Sequence, residues 1–177
     1  MRPASSLALD SERLFEGFEN LMPFRVQDIL LVSSLYDSFI LREDGRLNEL
    51  LVGESLELNL QQIPGITHVS SGAEALARWE PRFNLIVTNL ELGDMHAAQL
   101  ARKVKESGLD VPVVVLAYDY LEIKNFLSRN PSTDIERIFL WQGNIRILIS
   151  IVKFIEDLKN VEHDTTNVGV PVILVVE

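Results

Sequence analysis

Short apolar runs alternate with segments of helical periodicity along most of the chain. Five runs predict strands, and they lie at Val26–Val32, Ile66–Ser70, Phe83–Leu92, Pro112–Leu116 and Ile138–Trp141. Several of them are apolar at nearly every position, which indicates burial on both faces, as in a parallel sheet covered by helices. The alternation therefore predicts an α/β fold with a doubly wound sheet of five parallel strands.

The segments between the runs carry helix signals. Ser71 and Glu74 have the spacing of a capping box, in which the hydroxyl and the carboxylate each accept a backbone N–H at a helix start. Asp94 precedes a segment with one apolar stripe and is predicted to cap that helix, which Gly108 would end. Further helices are predicted around residues 47–58, 121–127 and 144–159.

The N-terminal residues 10–22 have apolar side chains at helical spacing behind Asp10 and Ser11, either of which could cap a helix that Pro23 ends. We expect an amphipathic helix outside the main domain. Two roles stay open for it, docking on its own domain or binding a partner. The predicted organisation is an N-terminal helix at 1–24, a main domain at 25–160 and a tail at 161–177.

The charge balance limits the function classes. The chain has 16 Lys and Arg against 26 Asp and Glu, which gives a formal net charge of −10. Nucleic acids and anionic membranes are bound by clustered basic side chains, so we expect neither as a partner. The hydrophobic share of 47% is that of a globular domain with a core.

The absence of cysteine excludes disulfides, thiolate zinc sites and cysteine nucleophiles. No apolar run reaches the length of a membrane span, and the N-terminus lacks the apolar stretch of a signal peptide. We therefore expect a cytoplasmic protein. The sequence contains neither a phosphate-binding glycine motif nor an assignable nucleophile–base pair, so we predict no enzyme activity and no cofactor.

Three segments resemble response-regulator receiver domains. Asn84–Met95 is similar to the segment that carries the phosphoacceptor, Pro112–Asp119 to the fourth strand, and Ser70–Leu76 to the entry into the second helix of that family. The resemblance covers roughly residues 26–159, most of a domain of typical size. It implies a flavodoxin-like receiver fold and a signal-transduction role in a two-component or phosphorelay system.

The active-site positions of the family are replaced in this sequence. Receivers have an acidic pair after the first strand, a phosphorylated Asp after the third, Thr or Ser after the fourth and Lys after the fifth. The matching positions here are Ser33 and Ser34, Asn89, Ala117 and Gln142.

These replacements remove the groups that phosphotransfer needs. A carboxamide has no anionic oxygen to attack phosphorus, and two serines supply no negative charge for magnesium. The cations that stabilise a transferring phosphoryl group are then missing as well. The sequence therefore predicts a non-phosphorylatable pseudo-receiver with no metal site.

A second resemblance concerns the surrounding protein. Residues 35–41, 43–47 and 141–144 are similar to the degenerate receiver that opens some multidomain proteins, in which a second receiver and a module like phosphoenolpyruvate synthase or pyruvate, phosphate dikinase follow. Residues 172–177 resemble the first strand of that second receiver. The resemblance implies a fragment with residues 161–171 as linker and the neighbouring receiver and catalytic domains as partners. The alternative is a native C-terminal strand that pairs with this domain or its neighbour.

The last predicted helix is apolar over roughly 220° of its circumference, whereas a helix on the surface of a monomer needs about 100°. In receivers, the last strand and the last two helices form a common docking face, so we expect a homodimer or a protein partner here. The interface candidates are Trp141, Ile147, Ile151, Phe154, Phe15 and Phe18. Two alternatives stay open: the N-terminal helix covers the excess within one chain, and Trp141 is a core or rim residue.

An alternative function is a small-molecule or nucleotide pocket in the crevice at the strand ends, because doubly wound folds also hold such ligands there. The polar, uncharged residues that could line it are Ser33, Ser34, Thr88, Asn89 and Gln142.

Acidic residues and histidines give weaker signals. We expect the acidic residues near the crevice to form a solvated rim or to cap helices rather than to form a carboxylate pair. These residues are Asp37, Glu43, Asp44, Glu91 and Asp94. The three histidines are scattered along the sequence, so no metal site is expected among His68, His96 and His163.

Overall fold

The structure, a computed structural model, describes residues 21–34, 64–130, 134–144 and 146–171. These residues belong to two compact units, Val26–Val152 and a second unit formed by residues 21–25 and 153–171. The strands are β1 (Asp28–Val32), β2 (Gly65–Val69), β3 (Leu85–Asn89), β4 (Val113–Ala117) and β5 (Arg137–Leu140). The described α-helices are α1 (Gly72–Ala77), α2 (Ala97–Glu106), α3 (Tyr120–Arg129) and α4 (Arg146–His163).

The five strands form one parallel sheet in the order β2-β1-β3-β4-β5. In the centre, Leu30 of β1 pairs with Ile86 of β3, and Val87 pairs with Val114 of β4. The strand order reverses at β1, which places a crevice at the carboxyl ends of β1 and β3. The predicted flavodoxin-like sheet is confirmed.

The central strands are buried on both faces. On one face, Leu30, Val32 and Ile86 belong to a core cluster with Leu100 and Val104 of α2. The residues that alternate with them, among them Ile29, Leu31, Val87, Val114 and Leu116, are buried as well. Such burial explains why these strands are apolar at nearly every position.

Helix α4 extends beyond its predicted end. The sequence placed that end at Lys159, but α4 continues to His163, and a π-helical segment follows at Asp164–Val168. Gly169, with a φ of 77°, ends this segment in the left-handed conformation that glycine adopts without strain. Part of the predicted linker is therefore helical.

Residues 21–25 run beside the C-terminal half of α4 within the second unit. The side chain of Asn160, which is 1% exposed, accepts a hydrogen bond of 2.8 Å from the backbone N–H of Phe24 and donates one of 2.9 Å to its carbonyl. Asp164 accepts from the backbone N–H of Met22 at 3.0 Å, and Arg25 pairs with the buried Glu156 at 3.3 Å. These contacts fix residues 22–25 on the helix.

Two predicted helices fall largely outside the described residues, namely the N-terminal helix and the helix at 47–58. Leu21 and Met22, the last residues of the first of them, are described and are not helical, and Met22 has a φ of 54°. None of the described helices is both long enough and apolar enough to cross a bilayer.

Candidate functional site

The carboxyl end of β1 places Ser33 inside the fold and Ser34 at its surface. Ser33 is buried, and its backbone N–H donates to the carbonyl of Val69 at 3.2 Å, which continues the pairing with β2. Its carbonyl lies 2.9 Å from Nε2 of His68. Ser34 is exposed. Neither hydroxyl brings a charge to the crevice.

The carboxyl end of β3 is occupied by Thr88 and Asn89. Both residues are buried, and Asn89, which is 6% exposed, pairs with Leu116 in the sheet. The hydroxyl of Thr88 donates to the carbonyl of Asn89 at 3.2 Å. The strand therefore ends on an amide side chain next to a hydroxyl that is already engaged with backbone.

At the ends of β4 and β5, an aromatic pair occupies the rim. The backbone N–H of Trp141 donates to the carbonyl of Ala117 at 2.8 Å, and the Trp141 and Tyr118 ring centroids are 5.7 Å apart. Trp141 is 2% exposed, and Tyr118 is half-exposed. Gln142 lies exposed in the following turn.

The five positions together carry neither a carboxylate nor an ammonium group, since they are Ser33, Ser34, Asn89, Ala117 and Gln142. Magnesium in proteins is bound mainly through carboxylates and phosphate oxygens, so these residues do not fit that ion. Among the described residues, no three His, Asp or Glu side chains come together as metal ligands. Asp37, Glu43 and Asp44 lie outside the described residues.

The two described acidic residues of the rim are engaged elsewhere. The carboxylate of Glu91 lies 2.6 Å from Nδ1 of His96, and both side chains are exposed. The carboxylate of Asp94 accepts hydrogen bonds from the backbone N–H groups of Gly72 at 3.0 Å and Ala73 at 2.8 Å.

Asp94 caps a different helix from the predicted one. The sequence assigned Asp94 to α2, but its carboxylate lies at the start of α1. Helix α2 begins after His96, whose N–H donates to the side-chain oxygen of Gln99 at 3.1 Å. The prediction was wrong because Gly93, with a φ of 82°, turns the loop back toward α1. A side chain that forms hydrogen bonds with residues far away in the sequence cannot be recognised from the spacing of neighbouring residues.

The loop after β3 is held by several further contacts. Leu92 donates its N–H to the carbonyl of Met95 at 3.1 Å, and Ala97 donates to Leu90 at 2.9 Å. A Cβ added to Gly72 would lie 2.5 Å from Sδ of Met95, so the loop and α1 approach as closely as a glycine allows. The loop that follows β3 is thus attached to α1 by Asp94 and Met95.

Hydrogen bonds at the start of α1 lower the pKa values of two carboxyl groups. The N–H of Ala73, ahead of other backbone donors, holds the pKa of Asp94 below its ordinary value. The N–H of Ser70 has the same effect on the pKa of Glu74.

The predicted capping box is confirmed in part. The Ser71 hydroxyl accepts from the N–H of Glu74 at 3.1 Å, as predicted. The Glu74 carboxylate, however, accepts from the N–H of Ser70 at 2.9 Å, one residue before the cap.

The predicted interface residues are mostly covered. Trp141 and Ile151 are buried, and Ile147 and Phe154 are half-buried, while Phe15 and Phe18 lie outside the described residues. Among the described residues, the exposed large apolar side chains are Tyr118, Tyr120, Leu121, Leu127, Leu158 and Val161, and the last two lie on α4 itself. None of the six was named as an interface candidate, although Leu158 belongs to the apolar positions of the last predicted helix.

The three histidines have different contacts. His68 contacts the carbonyl of Ser33, and His96 contacts Glu91. His163 lies 3.0 Å from Asp164 at the end of α4. Each ring has its own partner on a different element.

The described residues line two cavities. One, of about 560 Å³, is lined by residues of α1 and α2 and by Trp79 and Leu109, which follow these helices. The other, of about 390 Å³, lies between the start of α2 and α3 and includes His96 and Arg129. Neither lining contains a predicted pocket residue, so the small-molecule alternative stays a prediction from sequence.

Comparison with known proteins gives a likeness of structure alone. No protein-family model matches the chain, and no curated protein matches its sequence. The signal receiver domain of a LuxO repressor-like protein from Vibrio parahaemolyticus is 18% identical, with a TM-score of 0.50 over 81% of this chain and 98% of that chain.

The fold is that of a receiver domain. Two further proteins share this receiver fold with TM-scores of 0.50. One is an adenylate cyclase from Rhodopirellula baltica, 18% identical over 81% of this chain and 98% of that chain. The other belongs to a family of streptococcal redox sensors that evolved from two-component response regulators, and it is 21% identical over 85% of this chain and 58% of that chain. The receiver fold places Ser33, Asn89 and Ala117 at the ends of adjacent strands β1, β3 and β4.

Proposed function

We propose that this chain is a non-phosphorylatable pseudo-receiver that acts in signal transduction or regulation by binding protein. The observation that carries the proposal is the chemistry of the strand ends. The side chains at the carboxyl ends of β1, β3, β4 and β5 are neutral, and Asn89 stands at the position that the sequence resemblance assigns to the phosphoacceptor. Without a nucleophilic carboxylate, no acyl phosphate can form there.

The engaged carboxylates of the loop support the same proposal. Two acidic residues follow Asn89 in the loop: the carboxylate of Glu91 contacts His96, and the two oxygens of Asp94 accept from Gly72 and Ala73. Moving Asp94 would leave two N–H groups at the start of α1 without acceptors, which opposes the change. These hydrogen bonds hold the loop in one position, which suits a protein-binding surface better than a phosphotransfer site.

Acetyl phosphate with Mg²⁺, followed by intact-mass measurement of the full chain, tests the proposal. We expect no phosphoryl adduct on the native chain and none on Asn89→Asp alone, because the cation-binding groups stay absent. The matched positive control restores the family pattern with Ser33→Asp, Ser34→Asp, Asn89→Asp, Ala117→Thr and Gln142→Lys together. A stable single adduct on the native chain would overturn the proposal.

The proposal extends to the setting of the domain. On the sequence resemblance of residues 35–47 and 141–144, the chain forms part of a larger cytoplasmic multidomain protein with a second receiver and a catalytic module. The coding sequence beyond Glu177 tests this part, and an immediate stop codon would contradict it. Light scattering of the full chain at micromolar concentration tests self-association through α4. A mass that corresponds to the monomer alone would contradict the homodimer.

A further inference from the structure

Of the two cavities lined by described residues, the larger one, between α1 and α2, has a volume of about 560 Å³. We call it the α1–α2 cavity. Its described lining is mostly apolar and includes the buried residues Ile86 and Leu100. All of these lining residues lie within the compact unit Val26–Val152. Pockets that hold small organic molecules have this size and composition, with a few polar groups that orient the ligand.

Three apolar side chains of the cavity stay partly accessible to water. Leu76, Trp79 and Leu109 pack against the core cluster that contains Leu100 and Val104, but each of them is only half-buried. Covering them with an apolar group removes apolar surface from water, which is favourable. Among the described residues, the large apolar side chains that are exposed lie at residues 118–127 and on α4. The apolar surface here is therefore reached from within the cavity, which suits a small ligand better than the surface of another protein.

The end of α2 holds Leu109 in place. Gly108 has a φ of 74° and donates its N–H to the carbonyl of Lys105 at 3.0 Å. A glycine in this left-handed conformation lets the chain turn back after a helix, and the apolar residue that follows it packs on the last turn. The backbone thus fixes this side of the cavity, and a preformed pocket costs a ligand less free energy than one that must first be ordered.

Two opposite charges line the same cavity. Lys103 and Glu106 are both exposed and stand three positions apart on one side of α2. Within the described part of the chain neither side chain forms an ion pair, whereas Lys105 pairs with Asp134 at 3.1 Å. The hydroxyl of Ser107, the third polar side chain of the lining, donates to the carbonyl of Lys103 at 2.7 Å. The cavity therefore offers a ligand one ammonium and one carboxylate beside an apolar interior.

We infer that the α1–α2 cavity binds a free amino acid with a large apolar side chain, such as phenylalanine. The side chain of the ligand enters the cavity beside Leu76, Trp79 and Leu109. The α-carboxylate of the ligand pairs with Lys103, and its α-ammonium pairs with Glu106. The inference goes beyond the proposed function, because it assigns a ligand to a domain whose phosphorylation-site positions are neutral.

A ligand with a single charge fits the same cavity less well. An apolar acid would gain from Lys103 but would approach Glu106, and an apolar amine would gain from Glu106 but would approach Lys103. Like charges that come close together oppose binding. The two lining charges therefore favour a zwitterion over either of these ligands.

A titration of the isotope-labelled full chain with L-phenylalanine, followed by NMR, tests the inference. The sequence contains two tryptophans, so the indole N–H signal of Trp79 reports on the cavity and that of Trp141 serves as an internal reference. The Trp79→Phe variant assigns the two signals. We expect the Trp79 signal to shift and to saturate below about 10 mM ligand, a concentration at which even a weak site is occupied, while the Trp141 signal stays in place.

Three further probes separate the ring of the ligand from its charges. 3-Phenylpropionate lacks the ammonium, phenethylamine lacks the carboxylate, and glycine lacks the apolar side chain. We expect the dissociation constants of the first two to exceed that of L-phenylalanine by about two- to fivefold, since an exposed ion pair contributes that much. Glycine should leave the Trp79 signal unchanged, because it cannot fill the apolar interior.

Charge variants give a crossed test of the two ion pairs. Lys103→Gln should weaken L-phenylalanine by about two- to fivefold without weakening phenethylamine. Glu106→Gln should weaken L-phenylalanine to a similar extent without weakening 3-phenylpropionate. Arg102→Gln changes an exposed residue of α2 outside the described lining and is the matched control with unchanged binding. Leu109→Phe places a larger ring in the cavity and should abolish binding.

The inference is contradicted if the Trp79 signal shows no saturable shift. Equal binding of the three aromatic probes would also contradict it, because the charges would then have no role. Tighter binding of 3-phenylpropionate or of phenethylamine than of L-phenylalanine would assign the cavity to an acid or an amine instead. If Leu109→Phe does not fold, the charge variants still decide, since they change exposed side chains.

The outcome is independent of the phosphorylation assay, because the cavity lining and the altered phosphorylation-site positions share no residue. A failure of this titration leaves the proposed pseudo-receiver chemistry standing. A phosphoryl adduct on the native chain would not by itself remove amino-acid binding.

Discussion

The carboxylate of Asp94, in the loop after β3, accepts a hydrogen bond of 2.8 Å from the backbone N–H of Ala73 in the first turn of α1. A second bond, from Gly72, measures 3.0 Å. An anion at a helix start satisfies unpaired N–H groups and interacts favourably with the helix dipole. One side chain therefore holds together the loop that follows Asn89 and the helix that follows β2.

Removing this carboxylate should weaken the fold. Asp94→Ala leaves the N–H groups of Gly72 and Ala73 to water, and we expect it to lower the free energy of unfolding by about 1 kcal/mol, since Asp94 is exposed. Asp94→Asn keeps one acceptor oxygen and should lose less. Urea unfolding measures both, with Asp157→Ala on the exposed side of α4 as control. Equal stability of Asp94→Ala and the native chain would refute the cap.

The stability of the domain should fall in acid. The N–H of Ala73 lowers the pKa of Asp94 in the folded state, and the N–H of Ser70 lowers that of Glu74. At Asp164, partial burial raises the pKa, but hydrogen bonds from His163 and Met22 outweigh it and the net direction is down.

A carboxyl group with a lower pKa in the folded state stabilises the fold above its unfolded pKa, which is about 4, and this stability is lost as the pH falls through the folded value. Urea unfolding at pH 7, 5, 4 and 3 should show the decline below about pH 4. The Asp94→Asn variant should show a shallower decline. The same slope in the variant would mean that Asp94 does not contribute.

Gly72 and Met95 should be energetically coupled. A methyl group at Gly72 would lie 2.5 Å from Sδ and 2.6 Å from Cγ of Met95, so Gly72→Ala must displace that side chain or the loop. We expect Gly72→Ala to destabilise the domain by about 1 kcal/mol, and to do so less on a Met95→Ala background, where the space is free. A double-mutant cycle by urea unfolding measures the coupling. Additive effects of the two substitutions would argue against this contact.

The sheet was predictable because its signal is local. Most of the strands contain an apolar run bounded by polar or turn residues, β2 is more polar, and all five predicted runs overlap the strands of the structure. The Ser71–Glu74 spacing also located the start of α1, since both partners lie within one turn. Burial on both faces favours apolar side chains in β3 and β4, and the sequence shows this apart from Thr88 and Asn89 at the end of β3.

The contacts that were missed join residues far apart in sequence. Asp94 reaches Gly72 and Ala73 across 22 and 21 positions, and Asn160 reaches Phe24 across 136. Such pairs leave no periodic pattern. The burial of Trp141 was left open for the same reason, because its ring contact with Tyr118 depends on the pairing of β5 with β4.

Asn160 should anchor residues 22–25. Asn160→Leu removes the acceptor for the Phe24 N–H and the donor for the Phe24 carbonyl. Leaving these backbone groups without partners is expected to lower the free energy of unfolding by about 2 kcal/mol. We expect the amide proton of Phe24 to exchange faster with solvent while those of β3 stay protected. Asn125→Leu, on the exposed side of α3, is the control. Unchanged exchange at Phe24 would show that this attachment is dispensable.

The most direct test of the central claim is a Mn²⁺ titration of the isotope-labelled full chain by NMR, because the paramagnetic ion broadens amide signals close to any site it binds. We predict that the amides of Ser33, Asn89 and Ala117 stay as sharp as those of the core. Selective broadening of these three at sub-stoichiometric Mn²⁺ would show that carboxylates converge beside Asn89 and would contradict the account.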